Sequence, residues 1–326
     1  MRIKSWLILV IIFYTALVSQ AQSPIKVILD TDMDSDVDDV GALAMLHTLA
    51  DHQVVDLLGV IVTSDDLHAP SCTDAINHHF KRPDIPIGVE KGISLREFSK
   101  YTKEISAEFP HDLSSYEEAE DATDLYRRLL SEQPDSSVVI ISIGHLTNVR
   151  KLMESSPDRH SELNGMELIR KKVKLWSCMG GMYPEGKEAN FYRPDPESTK
   201  VAVDNWPGEV VFAGWESGNN IITGGEYLKR YIPPSSPVWR AYELYNDFAG
   251  RPSWDQASIL YAVASESGYW ELNNKGHVEV AEDGSNQWIN GASGNHSYLV
   301  EKIAPEEIAK VIDALMVGIY RPGFTK

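Results

Sequence analysis

Along the chain, short continuous apolar runs alternate with polar turns and with stretches whose apolar residues recur at helical spacing. Val27-Ile28-Leu29, Val54 to Thr63, Ser137 to Ile143, Lys174 to Cys178 and Val210 to Ala213 are runs of the first kind, rich in β-branched residues. Such runs predict strands buried on both faces. Ile85 to Val89 is a shorter one whose proline suits an edge or a strand start. Val40, Leu43, Ala44 and Leu46 follow helical spacing, and Cys72 to Phe80, Ala122 to Ser131, the residues after Asn148, Trp254 to Ala264 and Pro305 to Gly318 also predict helices. Strand, polar turn and helix repeated this often predict an α/β fold: a mostly parallel, Rossmann-like sheet with helices on both faces and its polar turns gathered at one edge.

Residues 90–120 break this rhythm and read as a long surface excursion that could serve as a lid or binding loop. No internal repeat or linker-like stretch divides the chain, so residues 22–326 read as one domain. The amino terminus differs in kind. Arg2 and Lys4 precede an apolar run from Trp6 to Val18 and then Ser19-Gln20-Ala21, a secretory signal pattern too short for a comfortable membrane span. Residues 1–21 are expected to be a signal peptide cleaved near Ala21, giving a secreted or periplasmic protein with no membrane association after cleavage. An uncleaved anchor is the alternative.

Removing that segment takes the formal charge from −18 to about −20. A chain so acidic is a poor partner for nucleic acid polymers or anionic membranes. Cys72 and Cys178 are the two cysteines, too few for a disulfide scaffold, and their spacing does not say whether they pair.

Six aspartates, Asp30, Asp32, Asp34, Asp36, Asp38 and Asp39, crowd the turn between the first strand and the first helix. They repel one another unless solvent or a hard cation such as Ca²⁺ or Mg²⁺ offsets their charge. An EF-hand starting at Asp32 fails, because Val37 stands where glycine is required and Leu43 where glutamate is required. A haloacid-dehalogenase-type phosphatase also places Asp-x-Asp after a buried strand, which Asp30-Thr31-Asp32 resembles weakly, but Asp38-Asp39 has no role in that scheme. Each aspartate also has a plain alternative: Asp36, Asp38 and Asp255 could cap helices, and Asp195-Pro196-Glu197 reads as a turn and helix start.

Taken in order, ILDTDMDSDVDDVGALA, IGHLTNV, MGG, EAN with DPE, and WDQASILYAV resemble the motif series of the inosine/uridine-preferring nucleoside hydrolase family over nearly the whole mature chain. The resemblance implies a single domain of nucleoside hydrolase fold, bound Ca²⁺, and hydrolysis of the N-glycosidic bond of a small-molecule nucleoside or riboside. It makes Asp32, Asp39, Asp255 and the backbone carbonyl of Ile143 the metal ligands, and Asp32 the general base. Asp38, Glu188 and Asn190 would bind sugar hydroxyls, and Asp30 would support the metal shell. Trp254 would contact the base.

The chain departs from that pattern in three places, one being the short segment between Gly181 and Glu188, where an asparagine sugar contact familiar in the family has no clear counterpart. Its aspartate loop carries two extra residues, with Asp34 where glycine is expected, and Trp254 precedes Asp255 where purine-cleaving members often carry a histidine that protonates the leaving base. Tryptophan stacks on a base but donates no catalytic proton at neutral pH. His145 and His296 are candidates for that proton, and Tyr183, Trp215, Trp254 and Trp288 for walls of the base pocket. A secreted calcium-dependent binding protein that kept the pocket without turnover is the rival reading. A homo-oligomer is compatible with everything above.

Overall fold

The computed structural model describes residues 23–325 apart from 93, 97 and 293, so the expected signal peptide lies outside the described residues. A nine-stranded sheet forms the centre of the fold. From one edge its strands are Trp270–Asn273, His296–Glu301, Val210–Ala213, Val173–Met179, Val138–Ser142, Ile25–Thr31, Val55–Val62, Ile87–Val89 and Glu120–Asp121. All neighbours pair in parallel except Trp270–Asn273, which runs antiparallel at its edge.

Side-chain alternation in the first strand sets the layers. Val27 and Leu29 point into one core with the helices Asp38–Asp51, Trp254–Ala264 and Pro305–Met316, and Ile28 points into the other with Ala122–Ser131 and Thr147–Glu154. Because the central strands are parallel and in register, Thr31, Val62, Ser142 and Met179 end at one edge, and the polar turns after them converge there. Ligands of open α/β sheets bind at that edge.

The expected strands and helices are present within a few residues of their predicted bounds, and Ala122–Ser131 and Val210–Ala213 match them end for end. Elements not anticipated include the helices Gly165–Lys172, Glu226–Tyr231 and Pro237–Asn246, and the strands Trp270–Asn273, Gly276–Val280, Asn286–Asn290 and His296–Glu301. Gly276–Val280 is buried only on alternate residues, so it lacks the continuous apolar run that announced the others. The 90–120 excursion is more structured than a loop. It carries the helix Thr102–Glu108, and the fully buried Tyr101 hydroxyl donates to the Asp36 carbonyl at 2.7 Å, tying the excursion to the aspartate loop. Cys72 and Cys178 are free and buried in different cores, one on each side of the sheet.

Candidate active site at the carboxyl edge of the sheet

Where the first strand ends, Asp39 organises the turn. Its Oδ1 accepts hydrogen bonds from the Thr31 hydroxyl and, at 3.2 Å, from the Met33 backbone N–H. Met33 has φ 35°, a left-handed conformation that a residue with a β-carbon seldom adopts, and this bond helps to hold it there. Asp32 lies within hydrogen-bonding reach of Asp39.

Asp38 and Asp39 open the helix Asp38–Asp51, yet its N-cap is Val37 and no side chain caps it. Asp255 is likewise the second residue of Trp254–Ala264, whose cap, Ser253, makes no side-chain bond to the helix. The plain reading of Asp38 and Asp255 as caps of their own helices therefore fails. Instead the two helices bring these residues together: the Asp255 N–H donates to Asp38 Oδ2 at 3.5 Å. Gly41 permits this crossing, since a β-carbon there would stand 2.5 Å from both Gln256 Nε2 and Tyr242 Oη.

The carboxylate oxygens of Asp36, Asp38 and Asp39 lie within 4.8 Å of one another. Asp38 Oδ1 and Asp39 Oδ2 are buried without a hydrogen-bond partner. Burial, and then the charge of neighbouring aspartates, pushes the carboxyls of Asp32, Asp38 and Asp255 well above the carboxylate range and that of Asp39 up to about 7. Ionised carboxylates held this close and this deep require a counter-charge, and unsatisfied carboxylate oxygens are donors for a hard divalent cation. The residues present fit such an ion. Asp36, one of the three grouped carboxylates and a candidate helix cap by sequence, contacts the guanidinium of Arg251.

Above this cluster opens a cavity of about 730 Å³. Asp32, Asp38, Asp255 and Ile143 lie at its wall, as do Glu188, Asn190 and Trp254, while Asp39 sits beneath. Glu188 accepts from the Asn190 N–H at 2.9 Å and the Gly181 N–H at 3.1 Å, and burial pushes its carboxyl up to about 7. The Asn190 side chain donates to the Ile143 carbonyl at 3.0 Å, so one expected sugar contact rests on one expected metal ligand.

Several expectations are corrected. Asp30 faces the opposite side of the sheet, bonded to the Tyr126 hydroxyl at 2.7 Å and Asn148 at 3.3 Å, because successive residues of a strand point to opposite faces. It reaches the site through its carbonyl alone, which accepts from the Ile143 N–H at 2.7 Å. His296 lies at the start of a strand parallel to Val210–Ala213, hence at the amino edge, away from the cavity. Tyr183 stacks on Tyr298 with centroids 4.7 Å apart, and Trp288 packs edge-on against the same ring, so both belong to the core. Trp215 and Trp254 line the cavity. His145 lines it too, with both ring nitrogens engaged, by the Thr63 carbonyl at 2.5 Å and the Thr147 hydroxyl at 2.9 Å. Asp195 caps the helix Pro196–Asn205, as its turn-like surroundings suggested.

The model described as inosine-uridine preferring nucleoside hydrolase matches residues 27–308. The chain belongs to that family. Pyrimidine-specific ribonucleoside hydrolase RihA of Salmonella newport (strain SL254) is 27% identical over 158 residues, which are 44% of this chain and 48% of that protein. The chain thus spans about half the length of that curated relative. Among solved structures, a plant nucleoside hydrolase shares the fold with a TM-score of 0.69 at 18% identity, over 90% of this chain and 99% of its own. The inosine-uridine preferring nucleoside hydrolase from Bacillus anthracis does so with a TM-score of 0.68 at 16% identity, again over 90% and 99%. Members of the nucleoside hydrolase family are metal-dependent, in keeping with the acidic cluster of this chain.

Proposed function

We propose that the protein is a Ca²⁺-dependent hydrolase that cleaves the N-glycosidic bond of ribonucleosides or closely related ribosides. The observation that carries this reading is the meeting of Asp32, Asp38, Asp39 and Asp255 from two distant stretches of chain beneath one cavity, with two buried carboxylate oxygens left unpartnered. Asp32, Asp39, Asp255 and the Ile143 carbonyl would hold the ion. When bound, Ca²⁺ would supply a hard positive centre that offsets the crowded carboxylates and lowers the pKa of water.

Asp32, facing the cavity, takes the proton of the attacking water. Asp38 and Glu188 bind ribose hydroxyls and, as the bond to the base breaks, stabilise the positive charge that develops on the sugar ring. Asn190, whose amide reaches the Ile143 carbonyl, binds the remaining hydroxyl. Trp254 and Trp215 provide the aromatic surface for the base.

Release of reducing sugar from a panel of ribonucleosides, with and without chelator, tests the proposal. Turnover that chelation abolishes is expected. Retained ligand binding with no turnover on any substrate would instead establish the second reading, a binding protein, which Trp254 in place of an acid favours. We also propose cleavage near Ala21 and export, which amino-terminal sequencing of the released protein tests.

A further inference from the structure

The residue before Asp255 cannot supply a proton to a departing base, and the structure shows that its polar atom is also spent: Trp254 Nε1 donates to the Trp215 carbonyl at 2.9 Å. His145 offers no replacement, because both its ring nitrogens are engaged. What stands beside Trp254 is Arg251. Its guanidinium carbon lies 4.8 Å from the Trp254 ring centroid, and both residues line the cavity with Trp215.

Arg251 is held from two sides. One terminal nitrogen contacts Asp36, and its guanidinium lies 5.6 Å from the ring of Tyr245. Its Nε is buried with no hydrogen-bond partner, although a guanidinium carries five N–H donors in a fixed fork. Asp36, which the sequence offered only as a helix cap, therefore anchors a cation beside Trp254, in a cavity wall that also carries Arg96, Lys187 and Arg193.

We infer that Arg251 is a catalytic residue that stabilises the leaving base by donating hydrogen bonds to it as negative charge builds there. The inference rests on the proposed hydrolase function. In the step, the bond between C1 of the ribose and the base nitrogen breaks and its electron pair stays on the base. A water oxygen bonds to C1, and the proton it loses goes to Asp32. The base anion then takes a proton from solvent, and Asp32 returns its own to solvent. Delocalised charge of this kind settles on an oxo oxygen conjugated with the ring, which accepts from the Arg251 fork. Adenine, which has no such oxygen, gains nothing from this contact.

The test compares uridine with 4-nitrophenyl riboside, whose leaving group departs as a stable anion without help. Arg251→Gln should lower kcat/KM on uridine by about 100-fold, and by at least about tenfold more than on the nitrophenyl riboside. Arg251→Lys, which keeps the charge but loses the fork, should fall between. Equal losses on the two substrates would overturn the inference and leave Arg251 as a tether for the aspartate loop, with the hydrolase reading intact. If Arg251→Gln does not fold, by its thermal unfolding midpoint, the same comparison on Arg251→Lys decides. Failure of the parent protein to hydrolyse either riboside would remove the hydrolase reading, and this inference with it.

Discussion

Gly144 lies so close to Asp32 that a β-carbon built on it would stand 2.8 Å from the Asp32 nitrogen and 2.9 Å from its Cβ. The two residues end neighbouring parallel strands, and only a missing side chain lets the turns after those strands touch. The same β-carbon would meet Thr63 Oγ1 at 2.7 Å.

Gly144→Ala should therefore displace Asp32 rather than unfold the protein. A shift of about 1 Å in a catalytic group lowers rate by about 100-fold, whereas overpacking of this size costs about 1–3 kcal/mol. Steady-state kinetics beside thermal unfolding check this: a variant that keeps parental kcat/KM would show that Asp32 tolerates the move.

The cation should stabilise the fold, because it offsets carboxylates that are otherwise buried and mutually repelling. At 100 times its dissociation constant a bound ligand adds about 2.7 kcal/mol, which for a chain of this size is a rise of several degrees in Tm. Calorimetric scans with Ca²⁺ and with chelator measure it. Asp32→Ala and Asp39→Ala should abolish the difference, and retention of the parental Ca²⁺ response in both would move the metal site elsewhere.

Arg127 gives a contrast in which stability changes and chemistry does not. It is 2% exposed and bonds through Nε to Asp158 Oδ2 at 2.8 Å and through Nη2 to Oδ1 at 3.0 Å. It also donates to the carbonyls of Ser161 and Leu163 at 3.1 and 2.9 Å. Arg127→Met should cost about 3 kcal/mol, since Asp158 loses its counter-charge and the two carbonyls lose a donor. Denaturant unfolding reads the loss. Hydrolysis at 25 °C should match the parent, as none of these groups borders the cavity.

A pH dependence follows from His47, which is fully buried, stacks on Phe80 and shares a 2.9 Å hydrogen bond with Asn77. Burial, and then the charge of Arg82, lowers its pKa from 6.5 to about 3. The unfolded chain thus binds a proton that the folded chain refuses. The stability this neutral histidine contributes is fully present above pH 6.5 and is lost as pH falls from there toward 3. Between pH 7.5 and 5.5 the loss is about 1.4 kcal/mol for this group. His47→Gln should flatten the parental fall in stability over that interval by this amount; an unchanged slope would show that His47 titrates normally in the fold.

How far the sequence reached depended on how local each signal was. Val27 to Leu29, Ser137 to Ile143 and Val210 to Ala213 are continuous apolar runs, so the buried parallel strands were legible. The strand His296–Glu301 was not, because its place beside Val210–Ala213 depends on a long connection rather than on its own pattern. At the site, motif order brought Asp32, Asp38, Asp39, Ile143, Glu188, Asn190, Trp254 and Asp255 to one edge. It could not show that Asp30 faces away, which the alternation of strand residues decides. Nor could it show the contact between Asp36 and Arg251, two residues 215 positions apart. A lone arginine three residues before Trp254 was the only trace of it.

Calcium titrated into the chelated protein at pH 7.5, with heat of binding and uridine turnover followed together, tests the central claim most directly. Turnover should rise along the binding curve and saturate with it, and Asp39→Ala should show neither signal. Turnover that persists in chelator, or that stays absent when the binding curve is complete, would contradict a calcium-dependent nucleoside hydrolase.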